Sequence, residues 1–179
     1  NQGFVLAQYN LGMLYITGAG VGKNPKRGIL WLRKAAEGGY GQAQHNLGTV
    51  YYEGIGVGKN YPEAVKWFAK AANQELGMAQ YNLAMAYYHG EGVKKNPQKA
   101  VSWLKKAARQ GNYPAQSMLA SCYENGIGVK QNKVFAYALY LHSSPYTEVA
   151  MEERQNLEKK PSKDEIVKAR SITIEKLFE

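Results

Sequence analysis

Apolar side chains at Ala7, Leu11, Leu14 and Tyr15 are spaced i, i+4, i+7 and i+8, the stripe of one helical face, and predict a helix from about Val5 to Thr17. Gly18, Gly20 and Gly22 follow at once and stop it, because closely spaced glycines permit backbone angles that other residues avoid. Asn24-Pro25 then opens a second helix, asparagine suiting the N-cap and proline the first helical position. That helix carries Ile29, Leu32, Ala35 and Ala36 on one side, and Gly38-Gly39 ends it. The unit is helix, glycine loop, helix.

The same pattern returns three times. Ala-Gln stands at Ala7-Gln8, Ala43-Gln44, Ala79-Gln80 and Ala115-Gln116, a constant step of 36 residues, which marks a repeat array. Leu11, Tyr15, Gly18, Gly20 and Val21 keep that step in every copy, and Trp31, Trp67 and Trp103 share one slot that Leu139 fills in the fourth. Four units are expected at about 5–40, 41–76, 77–112 and 113–145. The fourth decays: Met118 replaces an asparagine, Lys133 a proline, and Ser143-Ser144 an Ala-Ala. Terminal repeats are atypical because one side meets solvent. Residues 146–179 are expected to be a C-terminal helical cap or a degenerate fifth repeat, with one helix over Thr147–Lys159 and another opened by the capping box Ser162-Lys163-Asp164-Glu165 and running through Ile166, Ala169, Ile172, Ile174 and Leu177. Gly12, Gly48, Ala84 and Ala120 form a small slot on the first helices, and Gly28, Ala64, Ala100 and Ala136 one on the second, so the two series are expected to face each other where the helices cross.

Composition narrows this picture. The chain has 179 residues, is 45% hydrophobic and carries a net charge of +9. The excess lies in residues 1–145, with 16 Lys and Arg against 6 Asp and Glu, while 146–179 is balanced at 7 against 8. One cysteine, Cys122, excludes an intramolecular disulfide, and its slot, shared with Leu14, Val50 and Ala86, is that of a small buried apolar residue. No apolar run approaches the roughly 18–20 residues of a membrane span. The chain begins at Asn1 almost directly with a helix and is expected to be a piece of a longer one, whose exposed apolar first helix could dimerise.

The core A-x-x-x-L-G-x-x-Y-x-x-G-x-G-V reads here as Ala43, Leu47-Gly48, Tyr51 and Gly54-Ile55-Gly56-Val57, followed by Ala64, Trp67 and Lys70-Ala71-Ala72. Over about residues 5–144 this resembles the Sel-one-like repeat (SLR) family, relatives of tetratricopeptide repeats. The resemblance implies an all-α fold, a right-handed α/α superhelix of antiparallel helix pairs with first helices on the concave face. It also implies a non-catalytic adaptor or scaffold, bacterial, in the envelope or in contact with host cells, hence periplasmic or secreted, with a cytoplasmic place left open. One branch of the family has a disulfide in every repeat and is linked to β-lactams; the cysteines are missing here, so that activity is not transferred.

Catalytic chemistry finds little support. Gly18-Ala19-Gly20-Val21-Gly22-Lys23 departs from a phosphate loop, which needs glycine where Thr17 stands and Ser or Thr where Asn24 stands. His45, His89 and His142 form no metal-ligand pair, so neither a metal nor any cofactor is expected. Glu53 and Glu124 are the only carboxylates that a hydrolytic or carbohydrate-acting site across the groove could use.

A binding surface is better supported. With Ala7, Leu11 and Tyr15 facing the partner helix, the adjoining stripe reads Tyr9, His45, Tyr81; Asn10, Asn46, Asn82; Met13, Thr49, Met85; Ile16, Tyr52, Tyr88. In the tetratricopeptide relatives the asparagine slot often bonds a bound peptide's backbone, and a carboxamide suits this because it donates and accepts at once. Equally, Asn10, Asn46 and Asn82 could bond the neighbouring repeat's backbone and hold the stack. Tyr9, Tyr52, Tyr81, Tyr88, His45 and Met85 would supply contact area. Tyr15, Tyr51, Tyr87 and Tyr123 belong to the core. Lys26, Arg27, Arg33, Lys34, Lys66, Lys70, Lys99, Lys105, Lys106 and Arg109 gather on second helices as a solvated surface, or as a patch for an acidic partner; nucleic acid is disfavoured because no reading motif accompanies the charge. The expected function is a protein or peptide partner bound on the concave face, against the alternatives of a hydrolase and of a structural spacer.

Overall fold

A computed structural model describes residues 2–143, 162–173 and 176. The described residues hold nine helices and no strand: α1 (Gln2–Thr17), α2 (Pro25–Glu37), α3 (Gly41–Glu53), α4 (Tyr61–Asn73), α5 (Gly77–His89), α6 (Pro97–Arg109), α7 (Tyr113–Asn125), α8 (Lys133–Ser143) and α9 (Lys163–Arg170). They fall into two compact units, residues 1–94 and 95–179. Each unit is taken by itself below.

Local chemistry sets the helix ends. Asn24, Asn60, Asn96 and Asn132 cap α2, α4, α6 and α8, each side-chain Oδ1 accepting from the backbone N–H three residues on, at 2.9–3.1 Å. Gly54, Gly90 and Gly126 end α3, α5 and α7 in the left-handed conformation, at φ of 78°, 84° and 69°. The loop is then tied shut where the N–H of Asn24, Asn60 and Asn132 donates to the carbonyl of Tyr15, Tyr51 and Tyr123.

In the first unit the two small slots meet as expected. A Cβ on Gly28 would lie 2.6 Å from the carbonyl oxygen of Gly12 and from Cγ1 of Ile16, and one on Gly12 would lie 2.9 Å from the amide nitrogen of Leu32. Residue 16 opposite 28, and 12 opposite 32, is antiparallel packing at backbone contact. This corrects the place of Ile16, which is buried in that crossing and not on the open stripe. The Ala7 slot needs correcting too. Ala7 is exposed while Ala43, Ala79 and Ala115 are fully buried, so the slot is closed by the preceding repeat and not by the partner helix. Among the tyrosines assigned to the core, Tyr123 is buried, but Tyr15, Tyr51 and Tyr87 are half-buried.

The recurrent glutamine has a physical reason that spacing alone did not supply. Nε2 of Gln44 donates to the carbonyl of Ala36 at 3.0 Å, that of Gln80 to Ala72 at 3.3 Å and that of Gln116 to Ala108 at 3.1 Å. Each acceptor sits in the last turn of the preceding second helix, where it also accepts from the backbone N–H three residues on, of Gly39, Glu75 and Gly111, so the glutamine adds a second bond to a helix-end carbonyl. Oε1 of Gln44 in turn accepts from Gln74 at 2.8 Å. Gln44→Leu is therefore expected to cost about 1–3 kcal/mol in equilibrium denaturation, because it removes both hydrogen bonds of a buried carboxamide, to Ala36 and from Gln74; a loss within error would show that neither bond contributes to the joint.

The second-helix cations are less free than a solvated surface implies. Lys34, Lys70 and Lys106 place Nζ 4.6, 4.1 and 4.2 Å from the ring centroids of Trp31, Trp67 and Trp103, three residues back on the same helix. Arg27 lies over Tyr15 and Lys105 over Tyr123, while Arg33 lies over Tyr51 and hydrogen-bonds its hydroxyl.

In the second unit α7 packs on α8, and α9 packs on α8 through the buried Ala169. The capping box at Ser162 forms with Glu165, whose carboxyl is held below its usual range by the Ser162 backbone N–H and then the Ser162 hydroxyl. The helix stops at Arg170, short of the Leu177 expected for it, and Ile172 follows outside it with its carbonyl against His142 Nε2 at 3.3 Å. The helix expected over Thr147–Lys159 lies outside the described residues.

Candidate functional site

The stripe of first-helix residues is a hydrogen-bonded ladder in the first unit. Asn46 Nδ2 donates to the Tyr9 hydroxyl at 3.1 Å and lies 3.4 Å from Met13 Sδ. Asn82 Nδ2 lies 3.0 Å from His45 Nε2, and His45 Nδ1 lies 3.2 Å from Asn46 Oδ1. Each asparagine thus reaches the side chain one slot earlier in the preceding repeat, Tyr9 or His45, rather than that repeat's backbone. Asn10, in the first repeat, is exposed.

The amide orientations of these partners select one tautomer of the histidine. Asn46 gives its amide nitrogen to Tyr9 and presents its oxygen to His45, so Nδ1 of His45 is the donor and Nε2 accepts from Asn82. A second proton would set N–H against N–H at Asn82. Burial also holds the His45 pKa below its ordinary 6.5, against the smaller opposing pull of the Asn46 hydrogen bond. A histidine with a depressed folded pKa takes up protons more readily when unfolded, so stability is full above about pH 6.5 and declines as pH falls through the window below it. His45→Tyr supplies the hydroxyl that Tyr9 offers Asn46. It is expected to remove that part of the decline in denaturation curves taken from pH 7.5 to 5, and an unchanged curve would place the acid sensitivity elsewhere.

Beside the ladder, α3, α4 and α5 enclose a cleft of about 270 Å³. Tyr52, Phe68 and Tyr81 form aromatic walls with Met85 and Thr49, and Asn82, Glu53 and His89 bring further polar groups. Tyr52 stands edge-on to Tyr61 at 5.2 Å and donates its hydroxyl to Glu91 Oε2 at 2.8 Å. That bond to a carboxylate, with burial second, pushes the Tyr52 pKa up to about 12, so its proton stays in place. Burial likewise raises Tyr81.

Of the residues predicted to bind a partner, Tyr52, Tyr81, Asn82 and Met85 line this one cleft. Tyr9, His45 and Asn46 sit in the ladder, where His45 is buried. Tyr88 is half-buried, edge-on to His89 at 5.1 Å. Sequence reasoning missed Phe68 and His89 as cleft residues. His89 falls one slot after Tyr88, at the last position of α5 as Glu53 is of α3, and that signal was available. Glu124, in the second unit, faces the Tyr140 hydroxyl at 3.4 Å. Cys122 is buried, and burial pushes its thiol up to about 11, which makes it a poor nucleophile. No group of three or more metal-ligating side chains occurs among the described residues, and no helix of the described residues is long and apolar enough to cross a membrane.

The Sel1 repeat model matches residues 5–40, 41–76, 77–112 and 114–141. Among solved structures, a protective antigen present in uropathogenic Escherichia coli strains and displaying an SLR fold is 39% identical with a TM-score of 0.86, over 94% of this chain and 37% of that one. A Sel1 repeat protein from Oxalobacter formigenes is 35% identical with a TM-score of 0.81, over 87% of this chain and 64% of that one. Helicobacter pylori cysteine rich protein B is 28% identical with a TM-score of 0.55, over 66% of this chain and 90% of that one. The chain thus spans less than two thirds of the first two. A comparison with curated protein sequences gives no match. The fold class these structures share with the chain is the all-α superhelix of repeated helix pairs.

Proposed function

The chain belongs to the Sel1 repeat family, whose members are in general protein-interaction modules, and from that premise we propose that it is an adaptor or scaffold whose first-helix surface receives a peptide segment of a partner protein. The observation that carries this reading is the cleft of about 270 Å³ between α3, α4 and α5, walled by Tyr52, Phe68, Tyr81 and Met85. Aromatic side chains bury large area and methionine adapts its shape to what it meets, which suits a partner segment laid across them. In this reading Asn82, at the cleft, meets the peptide main chain, while Asn46 is engaged in joining two repeats.

Selection of a random peptide library on the native chain tests it. Selected peptides are expected to bind Met85→Ala and Tyr81→Ala at least tenfold more weakly, with melting temperatures that show the fold intact. Binding that is indifferent to both substitutions would remove the cleft from the site and turn attention to the basic second helices.

A further inference from the structure

We infer that the cleft between α3, α4 and α5 selects a cationic group, the guanidinium or ammonium of an arginine or lysine side chain on the bound segment. The inference rests on the peptide-binding reading and adds the chemistry of what the cleft recognises.

The hydrogen bonds around the cleft turn the Tyr52 and Thr49 hydroxyls and the Asn82 carboxamide toward accepting, while His89 keeps an N–H to donate. The Tyr52 hydroxyl spends its proton on Glu91 and the Thr49 hydroxyl spends its own on the carbonyl of His45 at 3.3 Å, so both keep only lone pairs for a ligand. Asn82 directs its amide nitrogen to His45, which leaves its carbonyl oxygen unbonded among the described residues. Glu53 adds a carboxylate that forms no ion pair among the described residues. Tyr52, Phe68 and Tyr81 line the cleft with aromatic rings, whose π-systems carry the negative side of a quadrupole that attracts cations. Carboxylate, carbonyl, lone pairs and aromatic rings all favour the same sign of charge.

The chain's net charge of +9 points the other way, and this makes the arrangement informative. Residues 1–145 hold only six acidic side chains, yet Glu53 lies in the cleft and Glu91 is bonded to one of its walls. The cations gather on second helices, several over aromatic rings of their own. At physiological ionic strength their field is screened over about 8 Å, so a ligand inside the cleft responds mainly to its lining.

The test titrates the full isotope-labelled chain, by nuclear magnetic resonance, with N-acetyl-arginine amide, N-acetyl-lysine amide, and the neutral near-isosteres N-acetyl-citrulline amide and N-acetyl-norleucine amide. The cationic probes are expected to shift Tyr52, Tyr81, Asn82 and Met85 saturably, with affinity at least fivefold above their neutral counterparts. Glu53→Gln, at an exposed position, is expected to abolish that preference while the melting temperature holds. Equal binding of the neutral probes, no saturable shift with either cation, or a preference that survives Glu53→Gln would each overturn the inference. Arginine above lysine would assign the guanidinium, and the reverse the ammonium. Because these probes need no peptide backbone groove, failure here leaves the selection experiment standing: library peptides that bind through the cleft without any basic residue would keep the peptide-binding reading and remove this one.

Discussion

Gly92→Ala is expected to destabilise the protein by about 2–5 kcal/mol, while Gly20→Ala, the same slot in the first repeat, costs only about 1–2 kcal/mol. Both glycines are left-handed, at φ of 71° and 76°, so alanine is strained equally at either. They differ in what a side chain would meet. A Cβ on Gly92 would lie 2.3 Å from the carbonyl carbon of Tyr61 and 2.6 Å from the nitrogen of Pro62, the start of α4, whereas one on Gly20 has nothing within 4 Å. The obstacle is backbone and cannot swing aside. Gly56 and Gly128 stand in the same relation to Pro25 and to Pro97, within 2.5 Å, so the second glycine of the loop is where one repeat seats on the helix start of the one before. Guanidinium denaturation of both variants, followed by tryptophan fluorescence, checks this. Equal losses would mean that the slot needs glycine for its backbone angle alone.

Leu47→Ala should cost about 2–5 kcal/mol and Leu11→Ala, its counterpart, about 1–2 kcal/mol. Leu47 is fully buried among Ile29, Leu32, Ala35, Val50 and Trp67, which come from both the first and the second repeat. Truncation leaves a cavity lined from both sides. Leu11 is half-buried on α1, where water takes up part of the space. The comparison is made in the same denaturant series, and equal costs would show that the core is confined within each repeat rather than continuous across the joint.

The helices were legible in the residues because their ends are local events: an asparagine three residues before the N–H it accepts from, a proline behind it, a glycine where the chain turns left-handed. The close crossing of Gly12 with Gly28 was legible as well, since no other residue type in a mid-helix slot so directly reports a missing side chain. What escaped was whatever depends on a neighbouring repeat. Ala7 was read as facing its partner helix, because its burial in later copies comes from the preceding unit, and a one-unit pattern carries no sign of that. The ladder from Tyr9 through Asn46 and His45 to Asn82 was legible only as asparagines bonded to the neighbouring repeat's backbone; the side chains they meet are 37 residues apart from them in sequence. The cleft was half visible: Tyr52, Tyr81, Asn82 and Met85 were chosen from the first-helix stripe, but Phe68 comes from a second helix and nothing in periodicity turns it toward them.

Three of the joints point backward. Gln44, Asn46 and Gly56 each belong to the later repeat, and each engages something in the earlier one: a helix-end carbonyl, a tyrosine hydroxyl, a proline. The glutamine and the glycine of this fastening recur as Gln80 and Gln116 and as Gly92 and Gly128. In the arithmetic of gene change, a tandem duplication of 36 codons, in register, delivers a segment that already carries its own attachments, and the segment behind it finds the same receptors as before. Length can then drift by whole repeats at little risk to folding, whereas an insertion of any other size between Tyr9 and Asn46 shifts the asparagine off its receptor.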